Sequence, residues 1–153
     1  MSNPIVRFTQ SFAEAFASED PCAKDKLAEA RNAACIQRLY EAIGRRDYDA
    51  ARLCLTPDTS FKIIGHHDFP RGHAEGIDAV LKGIQSNFET LKHTEIRLET
   101  LVAQGDVVVI IAHDSGIVLT TGESYSQPFL VEYRFRDGRV SQAREWLLPS
   151  EEP

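Results

Sequence analysis

The feature of this sequence that most constrains its fold is a series of four β-strand patterns in its C-terminal part. Turn sequences separate them, at Gly105-Asp106, Thr121-Gly122 and Asp137-Gly138. Asp-Gly between two strand patterns is a strong signal for a two-residue hairpin turn. Strands joined by such short turns run antiparallel, because a parallel pair needs a long crossover connection. The predicted strands span residues 94–102, 107–119, 125–135 and 140–148.

The residues before position 91 show mainly helical periodicity. Ile77, Leu81 and Phe88 belong to the clearest amphipathic helix of the chain. Asp20-Pro21 is a suitable start for an earlier helix, in which we expect a kink or break near Ala33. Helices followed by consecutive strands predict an α+β fold, with the helices on one side of an antiparallel sheet. The remaining predictions are a helix end near residue 44, a short helix over 47–55, a strand over 60–64 and a loop over 65–72.

Residues 1–19 are predicted to form an N-terminal helical arm. Ile5, Phe8, Phe12 and Phe16 fall on one face of such a helix, which ends before Asp20. Residues 20–150 then form a single α+β domain, a division that suits a chain of 153 residues. The aromatic side chains of the arm need burial, which a partner subunit could supply.

Composition and charge limit the classes of partner. The chain has 17 Lys plus Arg against 23 Asp plus Glu, a formal net charge of -6. We therefore expect no nucleic acid and no membrane as partner, because binding to phosphate groups needs clustered positive charge. The three cysteines are not spaced like a zinc or redox motif. Reduced thiols and the absence of a secretory signal pattern predict a cytoplasmic protein.

Several local strings resemble the nuclear-transport-factor-2-like superfamily, which includes the ketosteroid isomerases and the SnoaL-like polyketide cyclases. They are Ile-Gln-Arg-Leu-Tyr at 36–40, Arg-Asp-Tyr-Asp-Ala-Ala at 46–51 and Tyr-Arg-Phe-Arg-Asp-Gly-Arg-Val at 133–140. The resemblance covers roughly residues 32–148. It implies a cystatin-like or nuclear-transport-factor-2-like roll, in which a cone-shaped curved antiparallel sheet packs on N-terminal helices around an apolar pocket. It also implies a homodimer through the outer face of the sheet.

The resemblance carries over few catalytic residues. Leu39, Ile63 and Val131 stand where the ketosteroid isomerases have their tyrosine and two aspartates, which argues against steroid isomerase chemistry by that mechanism. Val131 also replaces a histidine of the polyketide cyclases. Glu145 aligns with the catalytic acid on the last strand of those cyclases and keeps its carboxylate.

Glu145 is the first candidate for catalysis. Strand alternation puts Glu145 on the same face as Ala143 and Leu147, and the resemblance implies that this face points into the pocket. A carboxyl group there would lose hydration, which raises its pKa and suits a general acid or base. In the alternative interpretation Glu145 faces solvent, or pairs with Arg134 or Arg144.

His113 and Tyr133 are the other two catalytic candidates. His113 interrupts an apolar strand and shares a face with Val109 and Ile111, which the resemblance also implies to be inward. A neutral imidazole there could relay a proton or orient a substrate carbonyl. Tyr133, on the same face of its strand as Val131, could donate a hydrogen bond to an oxyanion. Buried polar side chains with purely structural hydrogen bonds are the alternative for both.

A further set of residues is predicted to contact the substrate. Ordinary core packing is the alternative for most of them. Trp146 has the opposite parity to Glu145, so we expect it on the outer face of the sheet. The predicted substrate-binding residues are Leu39, Tyr40, Phe61, Ile63, His66, Phe88, Phe129 and Val131.

The densest polar cluster is the loop that contains His66, His67 and Asp68, with His73 close by. Imidazole and carboxylate groups are common metal ligands, but adjacent loop histidines seldom converge on one ion. We therefore predict no metal site and no cofactor, and interpret the loop as a solvated or lid-like segment.

Together with these candidate residues, the resemblance implies a pocket for a small apolar or carbonyl-containing molecule. If the protein is an enzyme, we expect a cofactor-independent isomerase, cyclase or hydratase that uses acid–base catalysis. The alternative is a non-catalytic ligand-binding or protein-assembly domain, which the apolar residues at positions 39, 63 and 131 favour.

Overall fold

The structure is a computed structural model that describes residues 3–8, 23–65 and 72–150. Three helices and seven strands lie within these ranges. In chain order they are β1 (Ile5–Phe8), α1 (Ala23–Gly44), α2 (Tyr48–Arg52), β2 (Leu55–Ile64), β3 (His73–Glu75), α3 (Ile77–Thr90), β4 (Leu91–Gln104), β5 (Val107–Val118), β6 (Ser124–Arg136) and β7 (Arg139–Leu147).

All seven strands belong to one curved, unclosed sheet with the order β1-β4-β5-β6-β7-β2-β3. Its centre, from β4 to β7, is antiparallel, as the turn sequences predict. Asp137 and Gly138 have φ angles of 52° and 74°, the positive values that a tight two-residue turn requires. Register shifts in β2 and β4 mark bulges, which bend strands and help a sheet to curve. The predicted α+β fold is confirmed.

Two pairings correct the expectation of a purely antiparallel sheet. β1 pairs with β4 in parallel, and β2 pairs with β7 in parallel. β7 follows β2 only after β3, α3 and three more strands, so no hairpin turn sets the relative direction of β2 and β7. β3 is a short strand beside β2 that the sequence pattern did not indicate.

The N-terminal prediction is wrong for the residues that the structure describes. Ile5–Phe8 is a strand rather than a helix, and its β-branched Ile5 and Val6 suit the open edge of β4. Val6 packs on Gly44, where an added Cβ would lie 2.6 Å from the Val6 Cγ2 atom. Phe12 and Phe16 lie outside the described residues. The domain boundary near residue 20 remains a prediction.

α1 is one uninterrupted helix of 22 residues, so the break expected near Ala33 is absent. It lies against β4 and β5 and buries Cys35, Ile36, Leu39 and Tyr40. Among the described residues, no helix combines the length and the hydrophobicity that a membrane crossing needs.

We call the side of the sheet that packs against α1 the inner face. On β5 it carries Val108, Ile110 and Ala112, each 0% exposed. Its residues alternate along each strand with partly buried or exposed ones. Other inner-face residues in the core include Ile96 and Leu98 on β4, Phe129, Val131, Tyr133 and Phe135 on β6, and Ala143 on β7.

Candidate functional site

Glu145 lies on the inner face, as predicted. It stands opposite Val131 of β6 on one side and opposite Ile63 of β2 on the other. Burial raises the pKa of Glu145 from 4.5 to about 7, and the charge of Asp114 adds to the shift. The residue as a whole is partly buried. These properties allow a carboxyl group to hold or release a proton near neutral pH.

The arginines that could have neutralised Glu145 bind elsewhere. Arg144 Nη2 lies 2.8 Å from both carboxylate oxygens of Glu132, and Arg134 Nε lies 3.0 Å from one of them. These three side chains occupy the outer face of the sheet. Within residues 3–8, 23–65 and 72–150, no hydrogen bond or ion pair to the Glu145 carboxyl group is found.

Tyr133 also lies on the inner face, one cross-strand row from Glu145. It stands opposite Ala143, so Tyr133 and Glu145 are diagonal neighbours, which in antiparallel sheets are roughly 7–8 Å apart. The hydroxyl oxygens of Tyr133 and Tyr40 are 2.9 Å apart, so α1 and β6 meet through a buried hydrogen bond. Burial raises the pKa of both phenols, which therefore remain protonated at neutral pH. One of the two hydroxyl groups donates its proton to the other, and the second hydroxyl group can donate its own proton to another acceptor.

His113 does not join this group, and the predicted inward orientation is wrong. The buried residues of β5 are the even-numbered ones, so His113 points to the outer face with Val109 and Ile111. Its Nε2 lies 2.6 Å from Ser126 Oγ, and its Nδ1 lies 3.5 Å from Arg97 Nη2. The cause of the error is that β5 is apolar on both faces, so alternation alone does not fix which face is buried.

Because the even-numbered residues of β5 face inward, Asp114 lies on the inner face. There it contacts two side chains that the sequence patterns did not indicate, those of His93 and Tyr125. His93 Nδ1 lies 2.8 Å and 3.0 Å from the two Asp114 carboxylate oxygens. Tyr125 Oη lies 3.2 Å from Asp114 Oδ2 and 3.0 Å from His93 Nδ1. We call His93, Asp114 and Tyr125 the His–Asp–Tyr cluster.

One sequence signal could have revealed this cluster. Gly116 is the only residue without a side chain in β5, and it faces Tyr125 across the β5–β6 ladder. An added Cβ there would overlap the Lys92 carbonyl oxygen and would lie 2.9 Å from the Tyr125 hydroxyl. A glycine within an apolar strand often marks such a close approach, here of a polar side chain.

The predicted substrate-binding residues fall into three groups. Leu39, Tyr40, Phe129 and Val131 belong to the buried core cluster, with Phe61 packed against it. Ile63 is partly buried beside Glu145, and Phe88 is buried against His93, with ring centroids 4.7 Å apart. His66, together with His67 and Asp68, lies outside the described residues. The roles of all these residues remain predictions.

Two surface depressions lie away from these polar groups. One, of about 380 Å³, lies near the start of α1 and is lined by Arg31, Asn32 and Phe135 among others. The other, of about 180 Å³, lies between Pro4, Val6 and Gly44. Neither is lined by Glu145, so a pocket at Glu145 remains a prediction. In the part of the chain that the structure describes, no three His, Cys, Asp or Glu side chains are grouped closely enough to hold a metal ion.

Comparisons with known proteins agree with the observed fold. A family model described as a SnoaL-like domain matches residues 36–143. Among solved structures, a nuclear-transport-factor-2-like protein from Burkholderia xenovorans LB400 is 22% identical, with a TM-score of 0.66 over 77% of this chain and 89% of that one. An LEH-like epoxide hydrolase from M. tuberculosis is 14% identical, with a TM-score of 0.65 over 78% and 84% of the two chains.

A third structure shares the fold and holds a small molecule. It is a protein from Catenulispora acidiphila DSM 44928 with a ketosteroid isomerase-like fold, in complex with trimethylamine. It is 13% identical, with a TM-score of 0.61 over 72% of this chain and 82% of that one. A comparison with curated protein sequences finds no match. At these identities the structural similarity establishes the fold alone.

Proposed function

The chain belongs to the SnoaL-like domain family, and on that premise we propose that it is a cofactor-independent isomerase, cyclase or hydratase. Its substrate is a small apolar or carbonyl-containing molecule, which lies against the inner face of the sheet. The observation that carries the proposal is Glu145, a carboxyl group with a pKa raised to about 7 and no cationic partner among the described residues. Strongly shifted titratable groups of this kind are concentrated at functional sites.

The proposed chemistry divides the work between Glu145 and the tyrosine pair. Glu145 takes a proton from, or gives one to, a carbon or oxygen atom next to the substrate carbonyl. The free hydroxyl proton of the Tyr40–Tyr133 pair donates a hydrogen bond to the carbonyl oxygen as negative charge develops there. Both steps benefit from the apolar surroundings, in which charge interactions are stronger than in water.

A proton-exchange assay tests the role of Glu145 without knowledge of the natural substrate. The wild-type protein is expected to accelerate deuterium exchange next to the carbonyl groups of cyclohexanone and 2-tetralone in D₂O, followed by proton NMR. Glu145→Gln should lower the enzyme-dependent rate by about 10²-fold or more, because an amide cannot carry the proton. The pH profile of the wild-type rate should change near pH 7, where Glu145 titrates.

Glu123→Gln is the matched control, because Glu123 is exposed in the turn between β5 and β6. This variant should exchange at the wild-type rate. Wild-type exchange in a folded Glu145→Gln protein would remove Glu145 from the mechanism.

The second candidate function is non-catalytic binding of a ligand or protein. The apolar residues Leu39 on α1, Ile63 on β2 and Val131 on β6 favour it, because they provide neither acid nor base at these three positions. Under this hypothesis Glu145→Gln would leave ligand affinity nearly intact, and the wild-type protein would not accelerate exchange at any pH.

We also propose that the protein forms a homodimer through the outer face of the sheet. Ile111 of β5, Leu130 of β6 and Trp146 of β7 form one cross-strand row on that face, and each is partly buried in the single chain. Contiguous apolar residues on an outer surface are typical of an interaction site.

The cytoplasm is the proposed location. Cys35 and Cys54 are both buried free thiols, and Cys35 Sγ lies 3.7 Å from the Cys54 carbonyl oxygen. Unpaired cysteines this close together suit a reducing compartment.

A further inference from the structure

His93 has a buried nitrogen atom without a partner. Its side chain is 7% exposed, and Nε2 has no hydrogen-bond partner among the described residues. Leaving a buried polar atom unpaired costs roughly 1–3 kcal/mol, so native proteins seldom retain one without a reason.

The Asp114 carboxylate determines which nitrogen of His93 carries the proton. Both oxygens of Asp114 lie within hydrogen-bond distance of Nδ1, at 2.8 Å and 3.0 Å, so Nδ1 is the nitrogen that carries the proton when the imidazole has only one. The Tyr125 hydroxyl donates to the same carboxylate. Nε2 therefore keeps its lone pair and is a hydrogen-bond acceptor.

The elements around His93 hold its ring in place. Phe88 of α3 packs at 57° to the imidazole plane, and Arg46 stacks over the Phe88 ring, 5.0 Å from its centroid. Asp114 comes from β5 and Tyr125 from β6, while Gly116 provides the space that the Tyr125 hydroxyl occupies. Asp114 on β5 and Glu145 on β7 lie on the same inner face of the sheet, and besides burial the charge of Asp114 raises the pKa of Glu145.

We propose that His93 contacts the ligand, with its Nε2 accepting a hydrogen bond from a hydroxyl or N–H group of the bound molecule. Asp114 and Tyr125 are positioning residues that hold the imidazole in the acceptor form. The inference deepens the proposed function and rests on it for the location of the ligand. It narrows the substrate class to carbonyl compounds that also carry a hydrogen-bond donor, such as hydroxylated ketones.

Phenol and fluorobenzene provide a matched pair of probes, because they share size and shape but only phenol donates a hydrogen bond. The measurement is the ¹⁵N resonance of His93 Nε2 in protein labelled with ¹⁵N-histidine. Phenol should shift this resonance and bind roughly five- to tenfold more tightly than fluorobenzene, the value of one hydrogen bond. Fluorobenzene should leave the Nε2 resonance in place, and His113, on the outer face, is the control resonance for both probes.

Three variants test the assignment. His93→Leu should reduce the preference for phenol to near unity, whereas His113→Leu should keep it. Asp114→Asn should shift the imidazole toward the tautomer protonated at Nε2, which the ¹⁵N resonances report directly and which a merely structural role would not change. Persistence of the Nδ1-protonated form in Asp114→Asn would exclude Asp114 as the positioning residue.

The outcomes separate this inference from the proposed function. Equal binding of the two probes, or binding of neither, would overturn the role of His93, because both results mean that Nε2 accepts no bond from the probe. Loss of exchange in Glu145→Gln would in that case still support acid–base catalysis. Conversely, a phenol-dependent shift at His93 together with unchanged exchange in Glu145→Gln would retain the ligand contact and refute the catalytic proposal.

Discussion

At the scale of single residues, Glu145 loses hydration without gaining a cationic partner in the part of the chain that the structure describes. Its ionised form is therefore disfavoured in the folded protein, while the unfolded chain ionises it at the ordinary pKa of 4.5. Glu132 shows the opposite behaviour, because hydrogen bonds from Arg144 lower its pKa. The pKa of Glu145 on β7 is thus raised, whereas the pKa of Glu132 on the neighbouring strand β6 is lowered.

The difference predicts how Glu145→Gln changes stability. Below pH 4.5 the wild-type group is neutral in both states, so its burial carries no charge penalty. Between pH 4.5 and 7 the unfolded chain releases the proton first, so folding is increasingly penalised, and above pH 7 the penalty is constant at about 3 kcal/mol. Relative to wild type, Glu145→Gln should therefore gain free energy of unfolding from pH 4.5 to pH 7.

Urea denaturation of both proteins at pH 4.5 and pH 8 measures this change. Glu132→Gln is the control, because its effect on stability should change with pH in the opposite direction. The ionised Glu132 stabilises the folded protein, so this variant should lose more stability at pH 8 than at pH 4.5. A stability difference between wild type and Glu145→Gln that does not vary with pH would contradict the raised pKa.

The sequence could predict part of the candidate site at this scale. Alternation along β6 and β7, combined with the family resemblance, places Tyr133 and Glu145 on one face, and the structure agrees. The partner of Tyr133 was named only as a binding residue, because the Tyr40 hydroxyl reaches it across 93 positions of sequence. Contacts between residues so far apart in sequence depend on how α1 packs on the sheet, and local sequence patterns do not determine that packing.

At the scale of elements, β5 shows where sequence patterns lose information. Its residues from Val107 to Ala112 are all apolar. The sequence therefore fits equally well with the odd-numbered or the even-numbered residues on the buried face. The ladder with β6 resolves it, because Ile110 stands opposite the buried Val131. His93 was missed because the predicted strand begins at residue 94, whereas β4 begins at Leu91 and has a bulge between His93 and Glu95.

Gly116 provides a test at this scale. Gly116→Ala should destabilise the protein by roughly 1–3 kcal/mol, because the new methyl group overlaps the backbone of β4 and can be accommodated only by strand displacement. It should also displace the Tyr125 hydroxyl and alter the ¹⁵N resonances of His93.

Gly83→Ala is the matched control for thermal or urea denaturation. An added Cβ at Gly83 meets nothing within 4 Å, and alanine is favoured over glycine inside a helix such as α3. This variant should gain up to about 1 kcal/mol. Equal effects of the two substitutions would show that the close approach at Gly116 is unimportant.

At the scale of the whole molecule, the turn sequences and strand patterns suffice to predict the α+β fold and the four central strands. They do not predict the parallel edges of the sheet, because β1 and β2 join partners that lie far from them in sequence. The short β3 pairs over only three positions and leaves no periodic signal.

The proposed homodimer belongs to this scale as well. Leu130→Arg should convert the dimer to a monomer, because a charge in the middle of the Ile111–Trp146 row would be buried without a partner. Light scattering after gel filtration measures the mass. Leu53→Arg, at a residue that is 78% exposed at the end of α2, should leave the mass unchanged. A monomeric wild-type protein would rule out the dimer.

The parallel pairing of β2 with β7 also has a consequence for synthesis on the ribosome. β2 is made early, yet its partner is the last strand of the sheet, so its backbone groups remain unpaired on that side until nearly the whole chain has emerged. Contacts between such distant segments make folding slow, because a large loop must close before they can form. Ile63 meets Glu145 only at that final step, so a nascent chain that stops before residue 139 lacks both the closing strand and the acid.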